Sequence, residues 1–334
     1  MKNILLLDTS VGSQNKGDDI IMECTREELG YLLTNNFEYT LPTHVSPFHW
    51  YQLLIVDIIK QPGRIQTYAD CALKFIGGSN ILCKNMLNYY PQWNINYFNY
   101  KPIKGSIGVG VGAGSGEKTN WYTRKMYQRV LSHDYYHSAR DERTKEYIES
   151  LGLKAINTGC VTMWKLTPDF CKTIPTTKAR NAVFTLTAGT NLMKEDQFLI
   201  DTLNEKYETV YFWPQGMFDF DYFKSLNNTQ IIKILPANKA AYDHFLSEND
   251  VDYVGMRLHG GIYAMRHARR AIIISIDERA SEINKANHLN SIDINNIHQL
   301  PEYIDSEFET QVVMDYDAIN QWKSQFDGFI ANEH

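Results

Sequence analysis

Apolar segments of strand length alternate with segments of helical period along most of the chain. NILLLD (residues 3–8), YQLLIVDII (51–59), ALKFIGG (72–78) and AIIISI (271–276) are short and apolar, which is typical of strands buried on both faces of a parallel sheet. DDIIMECTREELGYLL (18–33), ERTKEYIESLG (142–152) and KEDQFLIDTLNEKY (194–207) lie between such strands and carry apolar residues at helical spacing. This alternation predicts an α/β fold with parallel, doubly wound sheets.

The alternation lapses around LTPDFCKTIPTTKARN (166–181), which is rich in Pro, Thr and Lys and has no periodicity. A chain of 334 residues is long enough for two α/β domains. We therefore predict an N-terminal domain over residues 1–168, a C-terminal domain over 178–304, and a helical tail over 305–334 that packs back on the domains. Two such domains that face one another form a cleft, which is the usual place for a ligand.

Charge, hydropathy and cysteine content narrow the classes of function. A formal net charge of −6 supplies no basic field for nucleic acid or for an anionic membrane, so individual arginines must hold any anionic ligand. No apolar run approaches the roughly 18 residues of a membrane span, and the first apolar run is too short for a signal peptide. The 5 cysteines are scattered and form no CxxC motif. These features predict a reduced, cytoplasmic protein with no metal site.

The segment VDYVGMRLHGGIYAMRHARRAIIISID (251–277) predicts an anion site. A strand (251–254) leads into a helix that starts at Gly260, so Arg257 and His259 fall at the carboxyl end of a strand, where ligands of parallel sheets collect. Free N–H groups of the helix, glycines that let an anion approach, and the planar guanidinium of Arg257 all suit phosphate or carboxylate. His259 could carry a proton near neutral pH. The alternative is an arginine paired with a carboxylate and a histidine that caps the helix.

A second strand end lies at YYHSARDERTKEYIESLG (135–152). Arg140 and Asp141 close the strand, Asp141 is the predicted N-cap of the helix, and Gly152 its C′ glycine. Arg140 either contacts a ligand anion or forms a surface salt bridge.

The loop DTSVGSQNKGDDII (8–21) follows the first strand and does not satisfy the GxxxxGK[ST] phosphate-loop pattern. Asp18 or Asp19 either caps the next helix or binds or deprotonates a sugar hydroxyl. The aromatic segment NYYPQWNINYFNY (88–100) could stack on sugar rings or touch a membrane interface. The alternative, which we favour, is a loop that packs on its own domain.

Four segments, in order along the chain, resemble the polysaccharide pyruvyl transferase family. They are NKGDDII (15–21), FIGGSNIL (75–82), SARDERTKEYIESLGL (138–153) and GMRLHGGIYAMRHARRAIIISID (255–277). The resemblance implies two Rossmann-like domains similar to GT-B glycosyltransferases, with parallel sheets that face across a cleft. It also implies transfer of a pyruvyl group from phosphoenolpyruvate to a sugar of a bacterial surface polysaccharide or its precursor, which forms a pyruvate ketal and releases phosphate.

Carried over to matching positions, the resemblance implies His259 as the catalytic histidine and Arg257 and Arg140 as arginines that bind the phosphoenolpyruvate. Asp18 and Asp19 are predicted to assist catalysis on the acceptor side. The family shows a lysine after the strand that follows R-x-H, where Arg279 is the nearest cation here, and Ser79 replaces a common third glycine. The full set of predicted substrate-binding residues is Arg257, Leu258, Gly260, Gly261, Arg140, Asn15, Gly17, Gly77, Gly78 and Arg279.

The predicted reaction needs a general acid and a base but no cofactor, with phosphoenolpyruvate and a sugar, free or lipid-linked, as partners. Nucleic acid is excluded, and membrane contact is at most peripheral, at the inner face. Two other functions stay open at this point. One is a GT-B-type glycosyltransferase that uses a nucleotide sugar, with Asp277 or Glu278 gripping the ribose. The other is a saccharide-binding member of a polysaccharide assembly pathway that has no catalytic activity.

Overall fold

The structure is a computed structural model that describes residues 1–45, 48, 63–87, 92–114, 118–276 and 278–331. Its contacts divide the chain into two compact units. Unit 1 consists of Met1–Ser13, Ile21–Trp164 and Asp315–His334, and unit 2 consists of Gln14–Ile20 and Lys165–Met314. The predicted strand YQLLIVDII (51–59) lies outside the described residues.

The strands, in chain order, are β1 (Asn3–Asp8), β2 (Phe37–Pro42), β3 (Leu73–Gly77), β4 (Ile107–Val109), β5 (His137–Ala139), β6 (Ala155–Asn157), β7 (Asn181–Thr185), β8 (Thr209–Phe212), β9 (Lys233–Ile234), β10 (Val251–Gly255), β11 (Ala271–Ser275) and β12 (Ser291–Asp293). The α-helices are α1 (Gly17–Glu28), α2 (Gly30–Leu33), α3 (Arg64–Ala69), α4 (Trp121–Val130), α5 (Glu142–Ser150), α6 (Pro168–Cys171), α7 (Met193–Lys206), α8 (Asp219–Lys224), α9 (Lys239–Glu248), α10 (Leu258–Arg266), α11 (Glu278–Ala286), α12 (Leu300–Asp305), α13 (Tyr316–Ser324) and α14 (Asp327–Ala331). Short 3-10 turns occur at Lys101–Ile103, Val161–Met163 and Ile294–Gln299.

Unit 1 contains a parallel sheet in the order β2-β1-β3-β4 and a parallel pair, β5 and β6. An isolated parallel bridge between Val111 and Ala139 continues the sheet from the end of β4 to β5. The apolar residues of β1 and β3 are buried, as expected for central strands covered on both faces. The helix α5 is capped as predicted, because the side chain of Asp141 accepts from the Thr144 N–H at 2.8 Å and Gly152 adopts φ of 82°.

Unit 2 contains a parallel sheet in the order β12-β11-β10-β7-β8-β9 among the described residues. In chain order within the unit this is 3-2-1-4-5-6 read from β9, the arrangement of a Rossmann-like fold. The register pairs Gly255 with Thr185, so β10 and β7 end at the same edge of the sheet. Buried rings hold α8 on the sheet, with Phe212 and Phe223 stacked at 4.3 Å. The loops after β7, β8 and β10 are therefore neighbours.

The observed boundaries differ from the predicted domains in three places, the first of which is that residues 165–168, predicted to end the N-terminal domain, belong to unit 2. Residues 14–20 group with unit 2 instead of the first 168 residues, because residues 14–16 hydrogen-bond to the loop after β8. The tail is divided, since residues 306–314 stay with unit 2 while α13 and α14 pack in unit 1 through Trp322 and Phe326, which contact Phe75. Within the described part of the chain, every helix is too short or too polar to span a membrane.

Candidate active site

Arg257 lies between the end of β10 and the first turn of α10, as the N-cap residue of that helix. Its backbone N–H donates to Thr185 Oγ1 at 3.2 Å, and its Nε donates to the Leu186 carbonyl at 3.0 Å. Its Nη2 lies 2.8 and 2.9 Å from the two carboxylate oxygens of Asp219. The Asp219 side chain is 1% exposed and that of Arg257 is 19% exposed. The ion pair therefore joins a buried carboxylate to a half-buried guanidinium.

Asp219, which the sequence analysis did not single out, connects three loops. Its Oδ1 accepts from the Ala188 N–H at 3.0 Å in the loop after β7, and its Oδ2 accepts from the Gly216 N–H at 2.6 Å in the loop after β8. The ion pair with Arg257 adds the loop after β10. One carboxylate thus holds together three of the loops that follow the parallel strands of unit 2.

His259 is the second residue of α10 and lies against Gly17, the first residue of α1. A methyl group placed on Gly17 would lie 3.3 Å from Nδ1 of His259. Since residues 14–20 belong to unit 2, this contact is made within that unit. The prediction placed Asn15 and Gly17 in the N-terminal domain, whereas the structure brings them together with His259.

The pairing of residues 14–16 with residues 215–217 produces this arrangement. The Lys16 N–H donates to the Gln215 carbonyl at 2.8 Å, and the Met217 N–H donates to the Gln14 carbonyl at 2.9 Å. The Oδ1 of Asn15 accepts from Gln215 Nε2 at 2.9 Å and from the Gly17 N–H at 3.0 Å. The short antiparallel bridge and the Asn15 side chain together fix the start of α1.

Gln215 presents a buried acceptor at this place. The residue is 2% exposed, and its Oε1 has no hydrogen-bond partner among the described residues. A methyl group on Gly260 would lie 2.8 Å from this oxygen, so Oε1 points at the first turn of α10. Leaving such an oxygen unsatisfied costs about 1–3 kcal/mol. A ligand hydroxyl that reached this point could satisfy it.

The glycines of the R-x-H segment are also required by packing, and their predicted contact with the ligand stays a prediction. The helix α10 begins at Leu258, two residues before the predicted start, so Gly260 and Gly261 lie inside it and are buried. Methyl groups on them would lie 3.2 Å from the hydroxyl and 2.8 Å from a ring carbon of Tyr253. The hydrogen bonds of α10 begin with the Gly261 N–H, which donates to the Arg257 carbonyl at 3.2 Å, so the N–H groups of the turn before it precede the helical ladder.

Tyr253 and Thr185 stabilise the first turn of α10 through hydrogen bonds. The Tyr253 hydroxyl donates to the Arg257 carbonyl at 2.7 Å and lies 2.6 Å from Thr185 Oγ1. Burial raises the pKa of the Tyr253 phenol well above its ordinary value, so the phenol keeps its proton and remains a donor. The backbone of Arg257 is therefore fixed by buried groups on β7 and β10.

Asp18 and Asp19 lie in the first turn of α1, so neither is the N-cap residue. The side chain of Asp19 forms an ion pair with Lys16 at 3.2 Å, and Asp18 is buried. Acidic side chains stabilise this end of a helix through its dipole. Their predicted part in catalysis stays a prediction.

Three of the predicted residues, Arg140, Gly77 and Gly78, lie in unit 1. Arg140 donates from Nη2 to Asn80 Oδ1 at 2.6 Å and from Nε to Asp141 at 3.3 Å. Gly112 lies beneath it, because a methyl group there would be 2.5 Å from the guanidinium carbon. Arg140 is thus positioned by polar neighbours and by a glycine that makes room for it. Its predicted contact with phosphoenolpyruvate stays a prediction.

Gly77 and Gly78 are explained by close packing in unit 1. A methyl group on Gly78 would lie 2.5 Å from the Gly110 carbonyl oxygen, and one on Gly77 would collide with Met22. In the aromatic segment, Trp93 is buried and stacks on Tyr127 at 6.3 Å, as expected for a loop that packs on its own domain. Residues 88–91, Asp277 and the side chains of Glu278 and Arg279 lie outside the described part of the structure.

Comparison with known protein families identifies the family of this chain. Residues 15–278 match the family model of polysaccharide pyruvyl transferases, which covers most of the chain. The chain belongs to this family. The match begins at Asn15 and contains Arg140, Arg257 and His259, so it spans the segments that carried the resemblance. The predicted family is therefore confirmed, and the chain is an enzyme of the pyruvyl transferase type.

Solved structures support the fold of this pyruvyl transferase. MnaA of S. aureus, solved with UDP, is 10% identical with a TM-score of 0.52, and the match covers 99% of this chain and 97% of that one. The UDP-GlcNAc 2-epimerase of Neisseria meningitidis, solved with UDP-GlcNAc, is 13% identical with a TM-score of 0.46, covering 91% of this chain and 93% of that one. No curated protein matches the chain. The similarity to MnaA confirms a GT-B-like fold, as predicted.

Three features of this pyruvyl transferase can act chemically in unit 2. These are the backbone N–H groups at the start of α10, the positioned guanidinium of Arg257 and the imidazole of His259, which are the group types that proteins use to bind anions and to transfer protons. Among the described residues, no group of three or more His, Cys, Asp or Glu side chains is arranged to hold a metal ion. Asp219 and Gln215 were not predicted from the sequence, because the segment that contains them, WPQGMFDFD (213–221), has no pattern that indicates a site.

Proposed function

We propose that the chain transfers a pyruvyl group from phosphoenolpyruvate to two hydroxyl groups of one sugar, forming a ketal and releasing phosphate. The family supports the transfer of a pyruvyl group and implies a sugar acceptor. The observation that carries the proposal is the placement of His259, in the first turn of α10, against Gly17, with Arg257 as the N-cap residue of the same helix. Phosphoenolpyruvate carries a phosphate and a carboxylate, and this turn of unit 2 offers both N–H groups and a guanidinium to such an anion.

The proposed chemistry follows from that placement. His259 donates a proton to the methylene carbon of phosphoenolpyruvate, which leaves an oxocarbenium-like centre at the neighbouring carbon. One sugar hydroxyl adds to this carbon, the bond to phosphate breaks, and the second hydroxyl closes the ketal. Of the two hydroxyl protons, one restores the acid on His259 and the other leaves with phosphate. The carboxylate of Asp18 or Asp19 accepts a hydroxyl proton on the way. The reaction as written needs no cofactor.

The acceptor and the place of action belong to the same proposal. We infer a surface polysaccharide or its precursor as acceptor, free or lipid-linked, with peripheral contact at the inner face of the membrane. All 5 cysteines are buried and free, which supports a reducing, cytoplasmic compartment. A comparison of transfer to a free oligosaccharide and to the same oligosaccharide on a lipid carrier would choose between the two forms of the acceptor.

Calorimetry tests the donor without knowledge of the acceptor. Wild type should bind phosphoenolpyruvate and should not bind a panel of nucleotide sugars. His259→Gln should keep this binding. Its rate of phosphate release in the presence of a panel of sugar acceptors should be at least about 100-fold lower than that of wild type, since a positioned acid contributes about 10²–10⁴-fold to the rate. Saturable binding of a nucleotide sugar without binding of phosphoenolpyruvate would mean a glycosyltransferase instead. Normal phosphate release by His259→Gln would remove the histidine from the mechanism.

A further inference from the structure

We propose that Asp219 is a positioning residue for Arg257, so that the anion affinity of the site depends on a carboxylate that does not itself touch the ligand. The inference rests on the proposed function for the identity of the anion. It is carried by the ion pair, in which one guanidinium nitrogen of Arg257 is shared between both oxygens of Asp219 at 2.8 and 2.9 Å. An anion that reaches Arg257 meets a guanidinium whose plane is already set.

Hydrogen bonds divide the guanidinium into an occupied side and an open side. The Nε donates to the Leu186 carbonyl at 3.0 Å, and Nη2 donates to Asp219. Among the described residues, no hydrogen bond involves Nη1. Because a guanidinium is planar and rigid, two fixed nitrogens determine where the third one points. Asp219 therefore selects Nη1 as the nitrogen that a phosphate or carboxylate meets.

Asp219 is itself held in place before any ligand arrives. Its oxygens accept from the N–H groups of Ala188 at 3.0 Å and Gly216 at 2.6 Å, and its side chain is 1% exposed. A buried carboxylate with two backbone donors and a cationic partner has little freedom to turn. The orientation of Arg257 is thus fixed by the loops after β7 and β8, not by the ligand.

Gly216 also contributes to the orientation of Arg257. A methyl group at this position would collide with Nη2 of Arg257 and would lie 2.9 Å from both oxygens of Asp219. Gly216 therefore lets the backbone approach the ion pair closely enough to donate to the carboxylate. A change at Gly216 displaces Arg257 without removing either charge.

Two effects oppose each other when Asp219 loses its charge. The site gains net positive charge, which favours an anion, and Arg257 loses the partner that orients it, which disfavours an anion. We expect orientation to dominate, because the Asp219 carboxylate is buried and the anion gains most from a guanidinium that is already in position. Asp219→Asn should weaken phosphoenolpyruvate binding by at least about 10-fold, and Gly216→Ala should change it in the same direction.

The experiment is calorimetric titration of the full chain with phosphoenolpyruvate and, separately, with inorganic phosphate. Asp221→Asn is the matched control, since Asp221 lies in the same helix, is 80% exposed and pairs only with Lys224 among the described residues. Its affinity should equal that of wild type. In an Arg257→Gln background, Asp219→Asn should change the affinity by less than about twofold, because its effect is transmitted through Arg257. A merely structural role would weaken binding equally in both backgrounds.

A second readout keeps the inference separate from the proposed function. The Nε–H proton of Arg257, assigned by its loss in Arg257→Lys, should exchange slowly with solvent in wild type and faster in Asp219→Asn. If wild type binds neither anion but this exchange changes, the proposed function fails and the positioning of Arg257 stands. If Asp219→Asn binds phosphoenolpyruvate as tightly as wild type or more tightly, Asp219 is a counter-charge that the anion displaces, and the inference is overturned.

Discussion

The substitution Gly17→Ala should separate catalysis from stability in this enzyme. Gly17 is the first residue of α1, and a methyl group there would lie 2.9 Å from Gln215 Nε2, 3.2 Å from Asn15 Oδ1 and 3.3 Å from His259 Nδ1. The first of these distances is shorter than real Cβ atoms show, so Gln215 must move. Because Gln215 is 2% exposed, it has little room for this, and part of the displacement should pass to His259.

The magnitudes predict a small change in stability and a large one in rate. Overpacking costs about 1–3 kcal/mol, while replacing glycine by alanine in a compatible conformation returns about 0.4–1 kcal/mol through the unfolded chain. The free energy of unfolding should therefore fall by no more than about 2.6 kcal/mol. A shift of catalytic geometry by a fraction of an ångström to 1 Å lowers rates by up to about 100-fold. We expect phosphate release to fall about 10- to 100-fold.

Gly30→Ala is the matched control, since Gly30 is the first residue of α2 and has no atom within 4 Å of an added methyl group. Phosphate release with phosphoenolpyruvate and an acceptor panel should be measured for both variants, together with urea unfolding. Gly30→Ala should keep the wild-type rate. If Gly17→Ala also keeps it, His259 is not positioned through its contact with Gly17, and the reasoning about this site is wrong.

Three further predictions concern buried titratable side chains. Burial lowers the pKa of His137 to about 4, below the value of about 6.5 in an unfolded chain. Between these pH values the unfolded chain binds a proton that the folded chain does not, so the free energy of unfolding should fall by up to about 3 kcal/mol as the pH falls. Urea titrations of wild type and His137→Gln should show a smaller loss in the variant. Arg270→Ala should cost about 3–5 kcal/mol, because it leaves Asp252 buried without its partner at 2.7 Å, and thermal unfolding of the double variant with Asp252→Asn should recover part of this loss. Asp18→Asn should lower phosphate release without a change in phosphoenolpyruvate affinity by calorimetry, and an unchanged rate would show that Asp18 is not the base.

The central strands of both units could be predicted from the sequence, while the edge strands could not. The apolar runs of β1, β3 and β11 are continuous because both faces of these strands are buried. The edge strands β2, β6 and β12 are only partly buried, so their sequences lack such runs. The edge strand β9 contains only Lys233–Ile234, both of which are exposed.

The candidate site could be predicted only where its residues are close in sequence. Arg257 and His259 lie in one strand-to-helix segment, and its pattern marks them as site residues. Asp219 and Gln215 contribute through contacts with residues far away along the chain, and such contacts leave no local period. The packing role of the glycines of α10 could not be predicted, because a glycine needed beside Tyr253 cannot be told from one needed beside a ligand without coordinates.

The pairing of residues 14–16 with residues 215–217 also has a consequence for synthesis. Asn15 and Gln215 are 200 residues apart, and ribosomes add about 5–20 residues per second. The NKGDD segment therefore leaves the ribosome about 10–40 s before its partner exists. During that interval the start of α1 has no support from the Gln215 loop. A fragment that contains residues 165–314 alone would lack this segment permanently, so the histidine site cannot be isolated by truncation at the interdomain boundary.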